Sequence, residues 1–280
     1  MKRIINLILL LPLLIGCSGK KKDKAPEGYK LFFEEQFEGD KLNRDIWSFE
    51  TGNGNNGWGN SELEYYKEEN AVVKDGQLHI IAKREKVGDF EFTSARIKTV
   101  NKVKFTYGIV EARISLPAQQ AMWPAFWMMP NDSKYGGWPH SGEIDIMEAN
   151  GGYEYGTSSA IHYSLPGGAH TYDTGYNNMN TRDYKSSIAE FHIYKVDWKE
   201  DSISFYVDDR LIVEFPQRVW STASVEKSEN PAAPFDKDFY LLLNLAIGGN
   251  YVKNAEPKAD FTSAEMVIDY VRVYTLEGDE

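Results

Sequence analysis

Across residues 77–82, 93–100, 107–116, 158–163, 191–198, 202–207, 239–247 and 265–274, apolar positions alternate with polar ones or run on unbroken, with turn residues between the segments. Successive side chains of a strand point to opposite faces, so this period of two predicts strands buried on one face, and the short unbroken runs predict strands covered on both. Residues 202–215, SISFYVDDRLIVEF, predict a hairpin that turns at Asp208, Asp209 and Arg210. Helical period is scarce, and residues 186–191 offer one turn at most. The predicted class is therefore all-β: two antiparallel sheets packed as a sandwich, one outer face left free to curve round a ligand. No second linker, repeat or low-complexity block follows Glu27, so a single domain over residues 28–277 is the simplest organisation.

One segment breaks the alternation. SGEIDIMEANG, residues 141–151, places Glu143, Asp145 and Glu148 at spacings of two and three. On a regular strand Glu143 and Asp145 share one face while Ile144 and Ile146 take the core, and Glu148 would then be driven into the core at a cost of several kcal/mol. A β-bulge near Met147 flips the face once and returns Glu148 to the other two acids. It also shortens the roughly 16 Å that five unbulged residues span at about 3.3 Å each. Two glutamates leaning over a shorter aspartate can then approach to roughly 5–6 Å, the separation at which one carboxylate attacks a sugar and the other exchanges protons. The same acids equally describe an exposed acidic strand or a cluster of calcium-binding oxygens.

Composition narrows the partners. A net charge of −11 and a pI near 5.1 disfavour nucleic acid and strongly anionic polysaccharides. Aromatic residues make up 14% of the chain, high for an ordinary soluble domain, and Trp123, Trp127 and Trp138 cluster just before the acidic segment, where they suit the apolar faces of neutral sugar rings. GNGNNG at 52–57 matches a dinucleotide-binding pattern literally, but WGN follows where an apolar helix is required, so a loop of positive-φ residues is predicted. Zinc-protease, P-loop and serine-elbow motifs are absent from the sequence.

The N-terminus, MKRIINLILLLPLLIGC, has a basic start and an apolar run too short to span a bilayer, as in an export signal over residues 1–16. LIGC at 14–17 resembles the bacterial lipobox, which implies lipid modification of Cys17, a tether over 17–27, and a place in the cell envelope anchored to the outer membrane. Cys17 is the only cysteine, so the exported domain has neither a disulfide nor a thiolate metal site.

GEIDIME at 142–148 resembles the bulged E-x-D-x-x-E signature of glycoside hydrolase family 16. GWGNSELEYY at 57–66, SARIKT at 94–99, WPAFW at 123–127, IHY at 161–163, NLAIGGN at 244–250 and IDYVRVY at 268–274 resemble its laminarinase and mixed-linkage glucanase branch. The resemblance implies a concanavalin-like β-jelly roll whose concave face is the substrate cleft, acting as a monomer by double displacement. It makes Glu143 the nucleophile and Glu148 the acid/base, with Asp145 hydrogen-bonded to Glu143 and separating the two titrations. It places Trp123 and Trp127 beside sugars on the non-reducing side, Asn60 and Arg96 against their hydroxyls with Trp58 in the adjoining loop, Trp138 at the site, and His162 near the acid/base. For Asn60, Arg96 and His162, loop shaping, pairing with a surface acid and an ordinary strand position are the respective alternatives.

No cofactor is implied for catalysis; a structural calcium on the convex side would use Gly76 and Asp269, although EQF at 35–37 departs from the usual DEF. The implied substrate is a β-glucan containing β-1,3 linkages. YVK at 251–253, where strict laminarinases often carry Trp-Pro-Gly, favours mixed-linkage β-1,3/1,4-glucan over laminarin. A non-catalytic glycan-binding lipoprotein on the same sandwich is the alternative from another class, and transglycosylation shares the covalent intermediate.

Overall fold

The structure, a computed structural model, describes residues 24–221 and 228–278. The export signal, Cys17 and the first part of the tether lie outside the described residues. Two sheets account for nearly all the regular structure. One runs in the order β16 (Arg210–Pro216), β15 (Ser202–Val207), β14 (His192–Trp198), β9 (Gly108–Ser115), β18 (Ser263–Leu276), β5 (Gln77–Lys83), β6 (Phe92–Ser94), β3 (Glu64–Tyr66), with β1 (Tyr29–Glu35) paired to β18 and β4 (Ala71–Lys74) to β5. The other runs β13 (His170–Asn178), β12 (Gly156–Ser164), β11 (Glu143–Glu148), β10 (Met122–Pro130), β17 (Phe239–Ile247), β7 (Arg96–Lys98), β2 (Ser48–Glu50), with β8 (Lys104–Phe105) paired to β17. All pairings are antiparallel except β3 with β6. This is the jelly-roll sandwich the sequence predicts.

The alternating apolar positions meet in one core between the sheets. Phe126, Ile144, Ile161, Leu243 and Leu245 come from the eight-stranded sheet and Val110, Ala112, Ile114, Ile268 and Val273 from the other. The predicted hairpin forms as β15 and β16, with Asp208 and Asp209 both at positive φ, the two-residue turn whose twist matches the strands. Two predicted elements differ. The run at 93–100 is two strands in different sheets, β6 and β7, joined at fully buried Ala95. Residues 186–191 form a hydrogen-bonded turn rather than a turn of helix. GNGNNG is the expected loop, with Gly52, Gly54, Asn56 and Gly57 at positive φ. A Cβ on Gly57 would stand 2.2 Å from the Glu62 amide nitrogen, so glycine is what lets this loop close.

The tryptophans divide by role. Trp47, Trp198 and Trp220 are fully buried in the core, whereas Trp58, Trp123 and Trp127 are half-buried and Trp138 exposed on the outer side of the eight-stranded sheet. The aromatic excess thus has two causes, a core built without disulfides and a surface of rings around the acids.

Candidate active site

The bulge lies in β11. Against β10, Phe126 pairs with Met147 and Trp127 with Asp145, so Ile146 is the extra residue; against β12 the register slips between Asp145 and Glu148. Ile144, Ile146 and Met147 all join the core, and Glu143, Asp145 and Glu148 stand together on the outer face. Two adjacent residues facing inward is what a bulge permits and regular alternation forbids.

Each glutamate is held by an indole. Trp138 Nε1 donates to Glu143 Oε2 at 2.5 Å, and Trp123 Nε1 donates to Glu148 Oε1 at 2.8 Å. Asp145, almost wholly buried, lies between them, hydrogen-bonded to Glu143, with His162 Nε2 at 3.1 Å from its Oδ2. His162 is opposite Glu143 in register, and its Nδ1 lies 2.9 Å from His170 Nε2. His162 therefore faces Asp145 and the Glu143 end of the row, whereas the resemblance places it near Glu148.

Beyond β10 the sheet carries the other expected binding residues. The Arg96 guanidinium sits between Trp58 and Trp127, 4.5 and 4.9 Å from their rings, and pairs with Glu50 at 2.5 Å. Lys98 pairs with the same Glu50. Trp127 Nε1 donates to Asn244 Oδ1 at 2.8 Å, and Asn60 turns its amide to buried Glu62, which also accepts from Tyr66. Sequence reasoning missed Glu50, Glu62, His170 and Tyr251. Tyr251 stacks on Trp123 at 5.1 Å with planes 15° apart and shares a hydrogen bond with Ser158. Its signal was present as the departure at YVK; its ring partner was not. Gly76 and Asp269 lie on the other sheet, Gly76 in the turn before β5 and Asp269 in β18, where Arg113 holds the carboxylate at 3.0 Å.

Burial, then repulsion from Asp145, pushes Glu143 up to about 8; the Trp138 hydrogen bond and His162 work against this. Burial also pushes Glu148 up to about 7, opposed by Trp123 and His162, and raises Asp145 as well, with the charge of Glu148 adding to the rise. Asp145 thus raises Glu143 instead of setting it below Glu148, because the aspartate touches the nucleophile candidate and no counter-charge outweighs it. The three carboxyls titrate as one unit that retains protons near neutrality.

The same shifts bear on stability. A carboxyl whose pKa is raised by folding contributes fully below its unfolded value, near 4.5, and loses that contribution as pH rises through the folded value. Glu148→Gln should therefore unfold at the same temperature as the parent at pH 4.5 and a few degrees higher at pH 8, about 1–3 kcal/mol, as measured by calorimetry. Equal melting temperatures at pH 8 would show that burial does not penalise this anion.

Glu143, Asp145 and His162 also present atoms within 4.8 Å of one another, a spacing that could hold a cation. What the arrangement does chemically is offer two raised carboxyls on one face, each with an indole donor, beside aromatic rings, with Arg96 and Lys98 of β7 sharing the one Glu50 carboxylate.

Residues 33–276 match the family described as Beta-porphyranase A-D, GH16 domain. The chain is 37% identical over 279 residues to the glucan endo-1,3-beta-glucosidase A1 of Niallia circulans, covering 91% of this chain but 39% of that protein's length. It is 36% identical to the beta-glucanase of Rhodothermus marinus, covering 95% of this chain and 92% of that one. The crystal structure of the endo-beta-1,3-glucanase from Pyrococcus furiosus superposes with a TM-score of 0.75 at 37% identity, over 90% of this chain and 96% of the other. With the bulged carboxylate strand, its indole donors and a match over nearly the whole described chain, the protein belongs to glycoside hydrolase family 16.

Proposed function

We propose that this protein is a retaining endo-β-glucanase that hydrolyses mixed-linkage β-1,3/1,4-glucan and attacks β-1,3-glucan as a second substrate. The observation that carries the reading is the bulge, which puts Glu143 and Glu148 on one face with an indole donor on each. Glu148 protonates the leaving oxygen as Glu143 attacks the anomeric carbon; Glu148 then takes a proton from the water that displaces Glu143. The names of the relatives, glucan endo-1,3-beta-glucosidase and beta-glucanase, support a glucan substrate. A strict β-1,3-glucanase is the second reading, favoured by the Pyrococcus furiosus enzyme's name. Tyr251 favours the mixed-linkage reading: a tyrosine stacked on Trp123 stands where the strict enzymes' Trp-Pro-Gly is expected.

Product analysis decides between them. The protein is incubated separately with barley mixed-linkage glucan and with unbranched β-1,3-glucan. Fast release of short oligosaccharides from the first and slow release from the second is expected; the reverse order would make it a β-1,3-glucanase, and no products from either would favour a glycan-binding role.

Calcium in this proposal is structural. Gly76 and Asp269 are on the sheet opposite the carboxylates, and Arg113 must yield Asp269 before an ion binds there, so affinity is weak. Millimolar calcium should raise the melting temperature and leave turnover at 25 °C unchanged; a turnover abolished by chelator would contradict this assignment.

A further inference from the structure

Where β11 meets β12, two acids and a histidine form a donor set suited to something other than a sugar. Among the described residues, Glu143, Asp145 and His162 are the one group of His, Cys, Asp and Glu side chains whose ligand atoms converge, all within 4.8 Å of one another. His162 Nε2 stands 3.1 Å from Asp145 Oδ2. Two ligands bound to one ion at about 2.0–2.2 Å stand roughly 3.0–3.4 Å apart, so this pair is already spaced for coordination. Glu143, opposite His162 in register and only partly buried, joins them by swinging its carboxylate in by roughly 1–2 Å.

The oxygen of Asp145 supplies the second observation. Asp145 is 3% exposed, and its Oδ2 is buried and takes part in no hydrogen bond; His162 Nε2 faces it without making one. A buried carboxylate oxygen left without a donor costs free energy that a bound cation recovers. The two flanking ligands are braced from outside. His162 Nδ1 meets His170 Nε2 at 2.9 Å, and with its proton donated there Nε2 turns a lone pair toward Asp145. A partner on the far nitrogen fixes the tautomer and the ring orientation of a ligating histidine. Trp138 donates to Glu143 Oε2 and packs its ring 4.5 Å from that of His170, so one indole steadies both arms.

We propose that His162 Nε2, Asp145 Oδ2 and a Glu143 oxygen bind one transition-metal ion of the zinc type, which shuts the site reversibly. One imidazole and two carboxylates suit zinc, and the two carboxylate charges cancel those of a divalent ion in a place where water does not. Calcium and magnesium take shells of oxygen and gain nothing from the nitrogen. The ion exchanges bound water for the three side-chain lone pairs and displaces any proton they share; no bond within the chain breaks. The binding site stands on its own geometry. The inhibition rests on the glucanase reading above, in which the Glu143 carboxylate that the ion occupies is the one that attacks the sugar.

Zinc chloride is titrated by calorimetry into the full chain at pH 7, in a buffer that does not bind metal. One ion per chain should bind, His162→Gln and Asp145→Asn should each weaken it at least about tenfold, and His170→Phe, which removes only the brace, should weaken it about tenfold. His79→Gln should change nothing, because His79 faces Glu265 on the other sheet. In glucan assays zinc should inhibit over the same concentrations, glucan should relieve the inhibition competitively, and a chelator should restore the rate; equal calcium or magnesium should leave it unchanged. Zinc affinity unaltered in both His162→Gln and Asp145→Asn, or calcium bound there as tightly as zinc, overturns this proposal while glucan cleavage keeps the glucanase reading. If those variants do not fold, inhibition of the unmodified chain that glucan fails to relieve overturns it equally. A chain that takes up one zinc through His162 yet cleaves no glucan sustains the metal site and overturns the glucanase reading.

Discussion

Glu143→Gln should lower turnover of β-glucan by at least about 10⁴-fold, and Glu148→Gln by about 10³–10⁴-fold, with binding of the polymer retained in both. The two losses differ in kind. Without Glu143 no covalent bond forms to the anomeric carbon, so even a donor with an excellent leaving group stays intact. Without Glu148 only proton transfer is lost, so a dinitrophenyl glycoside, which needs no protonation, should still load Glu143 and then stall. Added azide separates the cases further: in a Glu143→Gly variant it attacks from the vacated side and gives an α-glycosyl azide, whereas in a Glu148→Gly variant it displaces Glu143 and gives the β product. Retained turnover in Glu143→Gln, or the opposite pairing of azide products, would reverse the assignment. The resting titration cannot decide it, since burial holds Glu143 near 8 and Glu148 near 7.

Asp145→Asn should cost about a hundredfold in kcat/KM and move the pH profile in a stated direction. Repulsion from Asp145 is, after burial, the largest influence raising Glu143. Removing that charge lets Glu143 ionise at lower pH, so the acid limb of kcat/KM shifts downward. The loss of rate has a separate cause: Asp145 is the group His162 faces at 3.1 Å and Glu143 is hydrogen-bonded to, and an amide offers the two neighbours a different set of donors and acceptors. A variant whose acid limb stays put would show that Glu143 is raised by burial alone; a variant with wild-type rate would show that Asp145 does not orient it.

How much of this was legible beforehand can be seen residue by residue. In 141–151 the conflict between strict alternation and the cost of burying Glu148 demanded a bulge, and the bulge is there, one position from Met147. The indole donors were legible only as a cluster of rings; that Trp138 serves Glu143 and Trp123 serves Glu148 depends on how β10 and the loop after it lie across β11.

Local pattern by itself determined what depends on neighbours a few residues apart: the period of two that makes the chain all-β, the turn at Asp208 and Asp209, and the three acids that one slip of register places on one face. The tertiary structure decided what depends on partners far along the chain. Residues 93–100 read as one strand because their apolar run is continuous, yet they pair with β3 and β5 on one side of Ala95 and with β17 and β2 on the other, and only sheet packing sets that crossing. β13, HTYDTGYNN, shows no apolar face, because its inner side is a glycine against Val213 and an aspartate held by Tyr163 rather than a stripe of aliphatics. Tyr251 meets Trp123, and Glu50 meets Arg96, across strands that no local period connects. Periodicity reports which face of a strand is dry; it carries no information about which strand lies alongside, and the chemistry of this site is made between strands.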